Sequence, residues 1–150
     1  MNFPLPPDCP YYLISRSMLA VTSILKKGFA NEGINTIKPA YLSVLLSLWN
    51  EDGLKVNELG KRAGLEPSTM TGLLDRMERD RLVKREPDPN DRRAHRIHLT
   101  QEGVDAEVSA TEVVSSTLDK AFSSIGKKDI EITKNVLRTI LLNCGKEDAK

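Results

Sequence analysis

The 150-residue sequence has few of the residues that build disulfide frameworks or zinc sites, and it has no long apolar run. Its two cysteines stand near opposite ends of the chain, so neither the density nor the spacing of such a framework or site is present. No apolar run approaches the roughly 20 residues that span a bilayer, and the amino-terminal segment lacks the features of a signal peptide. We therefore expect one compact cytoplasmic domain with helical extensions, without a bound metal or other cofactor.

Net charge is also low, because 22 Lys and Arg stand against 21 Asp and Glu. The charge is unevenly distributed: residues 61–100 contain ten basic and seven acidic residues, whereas residues 101–150 contain seven and nine. This modest local excess predicts a limited phosphate-contacting surface, unlike a histone-like coat of positive charge. A dimer would double that surface.

Most of the sequence has helical periodicity. After four prolines in the first ten residues, which predict an extended arm, a first helix is expected with Asp8 as a candidate cap and Gly28 and Gly33 loosening its end. A second helix begins at Pro39, and Thr100 caps a long helix that ends before a break near Gly126. The apolar positions of the first helix are Ile14, Met18, Val21, Leu25 and Phe29.

Two short helices are predicted in the middle of the chain. The first runs from Val56 to Leu65, with Gly64 as a left-handed cap, and the second runs from Pro67 to Arg81. The second helix has an apolar stripe of Met70, Leu73, Leu74 and Met77. Its opposite face is centred on Ser68, Gly72, Asp75 and Arg79, flanked by Thr69, Thr71 and Arg76. Small hydroxyl residues at a helix N-terminus permit close backbone approach to phosphates.

A basic hairpin follows these helices. Residues 82–85 and 96–99 are strand-like, and the prolines, Asn90 and charged residues between them predict a long hairpin loop. A helix that fits a DNA major groove, followed by an arginine-tipped loop that reaches the minor groove, is typical of a winged helix-turn-helix. The terminal helices are long and apolar, and the small core can cover only part of their apolar surface. A second copy of the chain is expected to cover the rest. The predicted fold is mostly α with a small β-hairpin wing. We assign residues 37–100 to the DNA-binding lobe, and residues 1–36 and 101–150 to dimerisation.

Five segments carry a family resemblance: residues 59–65 (LGKRAGL), 67–71 (PSTMT), 82–85 (LVKR), 88–93 (DPNDRR) and 99–103 (LTQEG). Their order and spacing resemble the multiple-antibiotic-resistance regulator (MarR) family of transcription factors. The resemblance implies a homodimer that binds a near-palindromic operator in double-stranded DNA. It also implies a repressor that a small-molecule effector releases.

The resemblance also implies roles for individual residues. Ser68, Thr69 and Thr71 match the groove-facing start of the recognition helix, with helix capping as the alternative. Arg93 matches the wing-tip arginine, Asp91 the acidic residue that holds its neighbour, and Arg92 is expected to contact phosphate; a solvated hairpin tip is the alternative for the arginines. Arg76 is also expected at the DNA, although intrahelical ion pairs with Asp75, Glu78 and Asp80 compete. The family often has a bulkier residue at Gly72, which indicates either close DNA approach or a tolerated helix defect.

Family members usually hold small aromatic or phenolic effectors between the dimerisation helices and the DNA-binding lobe. Tyr12, Arg16, Tyr41 and Trp49 are our candidates for lining such a pocket. Aromatic residues at helical spacing are otherwise core residues, which is the alternative.

Certain members of the family sense oxidants through a cysteine near the first helix. Cys9, followed by Pro10, Tyr11 and Tyr12, resembles that arrangement loosely, so an oxidant-sensing repressor is an alternative function. Cys144 is expected to be a buried thiol, with a Cys9–Cys144 disulfide as the alternative.

The two histidines do not predict a metal site. His95 and His98 are three residues apart on a strand and point to opposite faces, without a third ligand nearby in sequence. We expect them at the surface or against the backbone. A protein-interaction module built on a winged helix is a further alternative function, and an enzyme is disfavoured because no nucleophile motif or glycine loop is present.

Overall fold

The structure, a computed structural model, describes residues 8–145 and is mostly helical with one small antiparallel sheet. The predicted fold class is thereby confirmed, whereas the predicted proline-rich arm lies largely outside the described residues. The chain divides into two compact units, Met1–Thr117 and Leu118–Lys150. Within residues 8–145, none of the helices combines the length and apolar content that crossing a membrane requires.

The elements follow one another as a helical segment, a helix-turn-helix, a hairpin and three further helices. In chain order they are α1 (Pro10–Asn31), a 3-10 turn (Pro39–Tyr41), α2 (Leu42–Asn50), β1 (Leu54–Lys55), α3 (Val56–Ala63), α4 (Pro67–Arg79), β2 (Val83–Asp88), β3 (Asp91–Leu99), α5 (Gln101–Asp105), α6 (Glu107–Ala121) and α7 (Lys127–Cys144).

The helix-turn-helix forms where the sequence predicts it. Gly64 ends α3 with φ 68°, the left-handed conformation that glycine adopts without strain. The neighbouring Gly60 permits close packing, because an added Cβ there would lie 3.2 Å from Met70 Cγ on α4. The predicted apolar stripe of α4 is confirmed, since all four of its side chains are buried: Met70, Leu73, Leu74 and Met77. Because this face of α4 is buried, the opposite face, which carries Ser68, Asp75 and Arg79, is turned away from the core.

The sheet has the strand order β1-β3-β2, with both pairings antiparallel. The predicted long hairpin loop is wrong, because the strands continue to Asp88 and Asp91 and only Pro89 and Asn90 form the turn. Pro87 is tolerated because β2 is an edge strand, where a missing N–H group costs no ladder hydrogen bond. The short strand β1 was not predicted. It pairs through Leu54 and Lys55 with β3 and anchors the base of the wing.

The ends of α1 differ from the predictions. Cys9 is the N-cap residue and no side chain caps the helix, so the prediction for Asp8 is wrong. Gly28 does not loosen the helix end, because it lies within α1 at a close approach to α6, where an added Cβ would be 2.7 Å from Val113 Cγ1. Leu25 and Phe29 are buried, whereas the first half of the predicted apolar stripe is exposed.

The long helix predicted after Thr100 is two helices. The Thr100 hydroxyl accepts the Gly103 N–H at 3.1 Å, so the predicted cap is confirmed, but α5 ends at Asp105 and α6 begins at Glu107. Ala110 and Val113 of α6 belong to the core of the first unit.

The helix α7 begins after Gly126, which confirms the predicted break, and it has no buried residue within its own chain. Its exposed apolar side chains include Ile132, Val136, Leu137, Ile140, Leu141 and Leu142.

Candidate nucleic-acid interface

The exposed face of α4 begins with three small hydroxyl side chains, Ser68, Thr69 and Thr71. The N-cap residue is Glu66, and its side chain makes no capping hydrogen bond. Capping is therefore not the role of the hydroxyls: Thr71 Oγ1 donates to the Pro67 carbonyl oxygen at 3.1 Å, within the helix. The N–H groups of the first turn stay available to an anion, which the helix dipole also favours.

The acidic residues of α4 form salt bridges with cations on other elements. Arg85 Nη1 on β2 lies 2.7 Å from Asp75 Oδ1 and 2.6 Å from Glu78 Oε1. At the C-terminal end of α4, Lys38 Nζ lies 2.8 Å from Asp80 Oδ2. These pairings between elements leave the basic residues of α4 without carboxylate partners on their own helix.

Arg76 and Arg79 are both exposed on α4 and form no salt bridge within residues 8–145. The intrahelical ion pairs that the sequence offered as an alternative are therefore not observed. Two guanidinium groups on the exposed side of α4 remain available for phosphate oxygens.

The wing tip presents two further arginines. Arg92 and Arg93 are exposed, and neither forms a salt bridge among the described residues. Asp91 Oδ1 accepts the backbone N–H of Arg93 at 3.0 Å, a local bond that restrains the turn. The tip is thus a restrained backbone carrying two solvated cations.

The base of the wing is held by Asp88, which sequence reasoning did not identify as a functional residue. Its side chain is fully buried, and its carboxylate accepts the Asn90 N–H at 2.8 Å and Arg96 Nε at 2.7 Å, with Lys55 Nζ 3.8 Å away. These interactions, the Asn90 N–H foremost, lower the pKa of Asp88 against the opposing effect of burial. Asp88 therefore connects the wing turn to β3 and β1.

A second cluster missed at the sequence level joins the 3-10 turn to the end of α4. Tyr41 Oη donates to Asp80 Oδ2 at 2.7 Å, and Lys38 Nζ donates to both Asp80 and Tyr41 Oη. The bonds from Lys38 and then Tyr41 lower the pKa of Asp80, and the same carboxylate raises the pKa of Lys38. The partners are 39 and 42 residues from Asp80, so no local sequence signal reveals them.

The four candidates for an effector pocket have different environments. Tyr41 is 1% exposed and belongs to the core, while Trp49 packs against the core and its Nε1 donates to the Gly103 carbonyl oxygen at 2.9 Å. Tyr12 and Arg16 are exposed on α1. No hydrogen bond or ion pair joins any two of the four within residues 8–145. For Tyr41 and Trp49 the core interpretation is the one that the structure favours, because their polar atoms already have intramolecular partners.

The two cysteines are free thiols. Cys9 is half-buried at the N-cap of α1, and Cys144 is exposed at the end of α7. The expected burial of Cys144 is not observed within residues 8–145, where α7 has no buried residue.

The histidines lie on β3, as predicted. His95 is exposed, whereas His98 lies between two carboxylates, with Nδ1 3.5 Å from Asp52 Oδ2 and Nε2 3.6 Å from Glu86 Oε2. His98 is 30% exposed, so it lies at the surface as expected and also has two carboxylate neighbours. Residues 8–145 contain no cluster of three or more side chains that could hold a metal ion.

Comparison with known proteins agrees with this geometry. The sequence model of the MarR family matches residues 37–95. The chain is 32% identical over 108 residues to the organic hydroperoxide resistance transcriptional regulator of Bacillus subtilis (strain 168), covering 72% of this chain and 71% of the relative. The chain belongs to the MarR family. It is therefore a transcriptional regulator that binds DNA and not an enzyme.

Two further proteins are similar to the chain, one in sequence and one in fold. The HTH-type transcriptional regulator TtmR of Methylorubrum extorquens (strain PA1) is 48% identical over 65 residues, which cover 43% of this chain and only 33% of that protein. The transcriptional repressor CouR, solved bound to a 23-mer DNA duplex, is 26% identical with a TM-score of 0.78, covering 89% of this chain and 93% of the other.

Proposed function

We propose that this MarR-family regulator binds a specific operator as a homodimer, with α4 in the major groove and the wing in the adjacent minor groove. The observation that carries the proposal is the distribution of unpaired cations. Arg76 and Arg79 on α4, and Arg92 and Arg93 at the wing tip, have no salt bridge within residues 8–145, while the acidic residues of α4 are paired elsewhere. CouR, with a similar fold, binds a DNA duplex in its solved structure.

The start of α4 is the part that we expect to approach DNA most closely. Ser68, Thr69 and Thr71 are exposed and short, so they permit contact between the helix backbone and the duplex. Further along α4, Arg76 is long enough to reach phosphate oxygens or base edges. Small side chains at one end and a cation at the other fit a helix that enters the groove by its N-terminus.

The wing residues have separate roles in this proposal. Arg93 enters the minor groove and reads its width and A·T content, Arg92 contacts phosphate, and Asp91 holds the Arg93 backbone through its 3.0 Å hydrogen bond. Asp88 supports the wing from its base through Arg96.

Exposed apolar side chains support the homodimer. Tyr11, Leu13 and Met18 on α1 are 80%, 49% and 62% exposed, and in the second unit Leu141 and Leu142 on α7 are 71% and 66% exposed. Apolar surface of this extent on a water-soluble regulator needs a partner, and a second copy is the one that is always present. The assignment of residues 1–36 and 101–150 to dimerisation remains part of this proposal, as does a near-palindromic operator with half-sites about one helical turn apart.

The direct test begins with selection of bound duplexes from a random pool, which yields the operator. Arg93→Ala is then expected to weaken operator binding by about 10-fold or more and to flatten the preference at flanking A·T positions. Arg92→Ala is expected to weaken binding to all sequences and to reduce the salt slope by about 0.9. Arg138→Ala, which removes an equal charge from α7, serves as the control once its molar mass matches that of the wild type, since α7 belongs to the proposed dimerisation region. Wild-type affinity and salt slope in both wing variants would refute the wing assignment.

We further propose that the protein is a repressor and that a small aromatic or phenolic effector releases it from DNA. CouR is a transcriptional repressor, and an effector that prefers one arrangement of the two α4 helices shifts the population away from the DNA-binding form. Titration of the protein–operator complex with benzoate and 4-hydroxybenzoate tests the effector class. A reporter gene behind the operator tests repression, since an activator gives the opposite sign.

Oxidant sensing through Cys9 is the second candidate. It is supported by the half-buried thiol at the N-cap of α1 and by the similarity to an organic hydroperoxide resistance regulator. Operator binding is measured before and after cumene hydroperoxide in wild type, Cys9→Ser and Cys144→Ser. Loss of the response in Cys9→Ser alone supports the role, and equal responses in all three proteins remove it.

A further inference from the structure

Arg85 is the side chain that joins the wing to α4. It lies on β2, and its guanidinium contacts three residues of α4 that are three or four positions apart. Nη1 is 2.7 Å from Asp75 Oδ1 and 2.6 Å from Glu78 Oε1. Nη2 donates to the Thr71 carbonyl oxygen at 3.4 Å. The side chain is 28% exposed, so most of it is withdrawn from solvent. A planar guanidinium with five donors suits such a multiple contact, whereas an ammonium group does not.

The two carboxylates depend on this arginine. Glu78 Oε1 is buried and has no well-aligned hydrogen bond among the described residues, so the ionic contact with Arg85 is its compensation. Asp75 lies on the exposed side of α4, three residues before Glu78. Without Arg85, both negative charges would be unneutralised on the helix that is to approach a polyanion, and like charges in an interface are costly.

Arg85 also determines which cations of α4 are available. Asp75 and Arg79 are separated by four residues, the spacing at which an intrahelical ion pair forms on a free helix. In the structure the Asp75 carboxylate is held by Arg85 instead, and Arg79 forms no salt bridge within residues 8–145. A half-buried partner on β2 thus takes the place of a local pair on the helix.

We propose that Arg85 is a positioning residue for DNA binding, which neutralises Asp75 and Glu78 and keeps Arg79 available for phosphate, without contacting DNA itself. This inference rests on the proposed placement of α4 in the major groove. It predicts that the loss of operator affinity on removing Arg85 is caused by the two carboxylates, and that affinity recovers when both are neutralised.

The experiment compares Arg85→Gln with the triple variant Arg85→Gln, Asp75→Asn, Glu78→Gln. Operator affinity is measured by fluorescence anisotropy at several salt concentrations, with thermal melts and molar mass recorded for every variant. We expect Arg85→Gln to weaken binding about 10-fold. We expect the triple variant to recover most of that loss with the wild-type salt slope.

A matched control exists on α3, where Arg62 also bridges two carboxylates, 2.7 Å from Glu51 and 2.8 Å from Glu58. Arg62→Gln makes the same change of charge and releases the same number of carboxylates away from α4. We expect it to weaken binding much less than Arg85→Gln. An equal loss in the two variants would show a net-charge effect and overturn the proposal.

Three other outcomes also overturn it. Wild-type affinity in Arg85→Gln shows that the bridge is irrelevant to DNA binding. A triple variant as weak as the single one, with a salt slope smaller by about 0.9, shows that Arg85 contacts phosphate directly. An equally weak triple variant with an unchanged salt slope shows that Arg85 has only a structural role, in which the charges of the two carboxylates are irrelevant. Arg93→Ala is measured in the same titration to separate this failure from a failure of the proposed function. The proposed function predicts that Arg93→Ala binds the operator more weakly, whatever the role of Arg85.

Discussion

Replacing Gly72 by alanine adds one methyl group to the exposed side of α4, and the structure permits the consequence to be calculated. An ideal Cβ at this position meets only Arg76 Nη1, at 3.7 Å, which is ordinary van der Waals contact with the end of a flexible side chain. Gly72 is not among the glycines with positive φ, so alanine fits its backbone conformation. The remaining term is intrinsic helix propensity, which favours alanine over glycine in a helix interior by about 0.8–1.0 kcal/mol.

We therefore expect Gly72→Ala to raise the free energy of unfolding by about 1 kcal/mol and Tm by about 2–4 °C, at fixed protein concentration because a dimer's stability depends on it. Urea unfolding followed by circular dichroism measures the change as a shift of the midpoint with an unchanged slope. A variant no more stable than wild type would refute the reasoning, because no clash or strain offsets the gain in helix propensity.

Gly103→Ala is the matched control with the opposite sign. Its Cβ would collide with the carbonyl oxygen of Leu82, a backbone atom that cannot move aside as a side chain does. A loss of about 1–3 kcal/mol is expected. Operator affinity of Gly72→Ala then decides between the two interpretations of that glycine: a loss despite the added stability indicates close DNA approach at position 72, and unchanged affinity indicates a tolerated defect.

Two further predictions concern single polar groups. Thr100→Ala removes the acceptor of the Gly103 N–H and is expected to cost about 1 kcal/mol of stability, measured as a lower urea midpoint; an unchanged midpoint would contradict the cap. Asp80→Asn is expected to cost about 1 kcal/mol at pH 7 through its contacts with Lys38 and Tyr41. Because these contacts lower the pKa of Asp80 in the folded protein, their stabilisation is present above the ordinary value of 3.8 and is lost as pH falls below it. Urea unfolding at pH 7 and pH 3 should therefore show a smaller difference between the two proteins at pH 3.

The helix-turn-helix was predictable because its signals are local. Pro67 starts α4, Gly64 ends α3 in the left-handed conformation, and the apolar stripe of α4 specifies which face is buried. Each of these signals acts within a few residues, so periodicity and turn chemistry suffice. The α4 residues that we propose to face DNA followed directly, since they are the ones that the buried stripe leaves exposed.

Several differences from the predictions depend on distant parts of the chain. The hairpin contains prolines and polar residues that locally favour a loop, yet it is extended because β2 is an edge strand and Asp88 is held by Arg96 and Lys55. Tyr41 was proposed for a pocket from its residue type alone, and its burial depends on packing and on Asp80, 39 residues away. A single sequence contains no signal for such pairings.

The same distinction explains why net charge is a poor measure of the proposed DNA-binding surface. Residues 61–100 have only a small excess of basic residues, but five of their seven acidic residues form salt bridges within the protein: Asp75, Glu78, Asp80, Glu86 and Asp88. Of the five arginines of residues 61–100 without such a partner among residues 8–145, Arg76 and Arg79 are on α4 and Arg92 and Arg93 are at the wing tip, while Arg81 follows α4. The basic residues of this lobe therefore form two groups. Those that hold carboxylates set the arrangement of the surface, and those that remain unpaired supply its charge, so substitutions in the two groups should differ in whether neutralising a carboxylate restores binding.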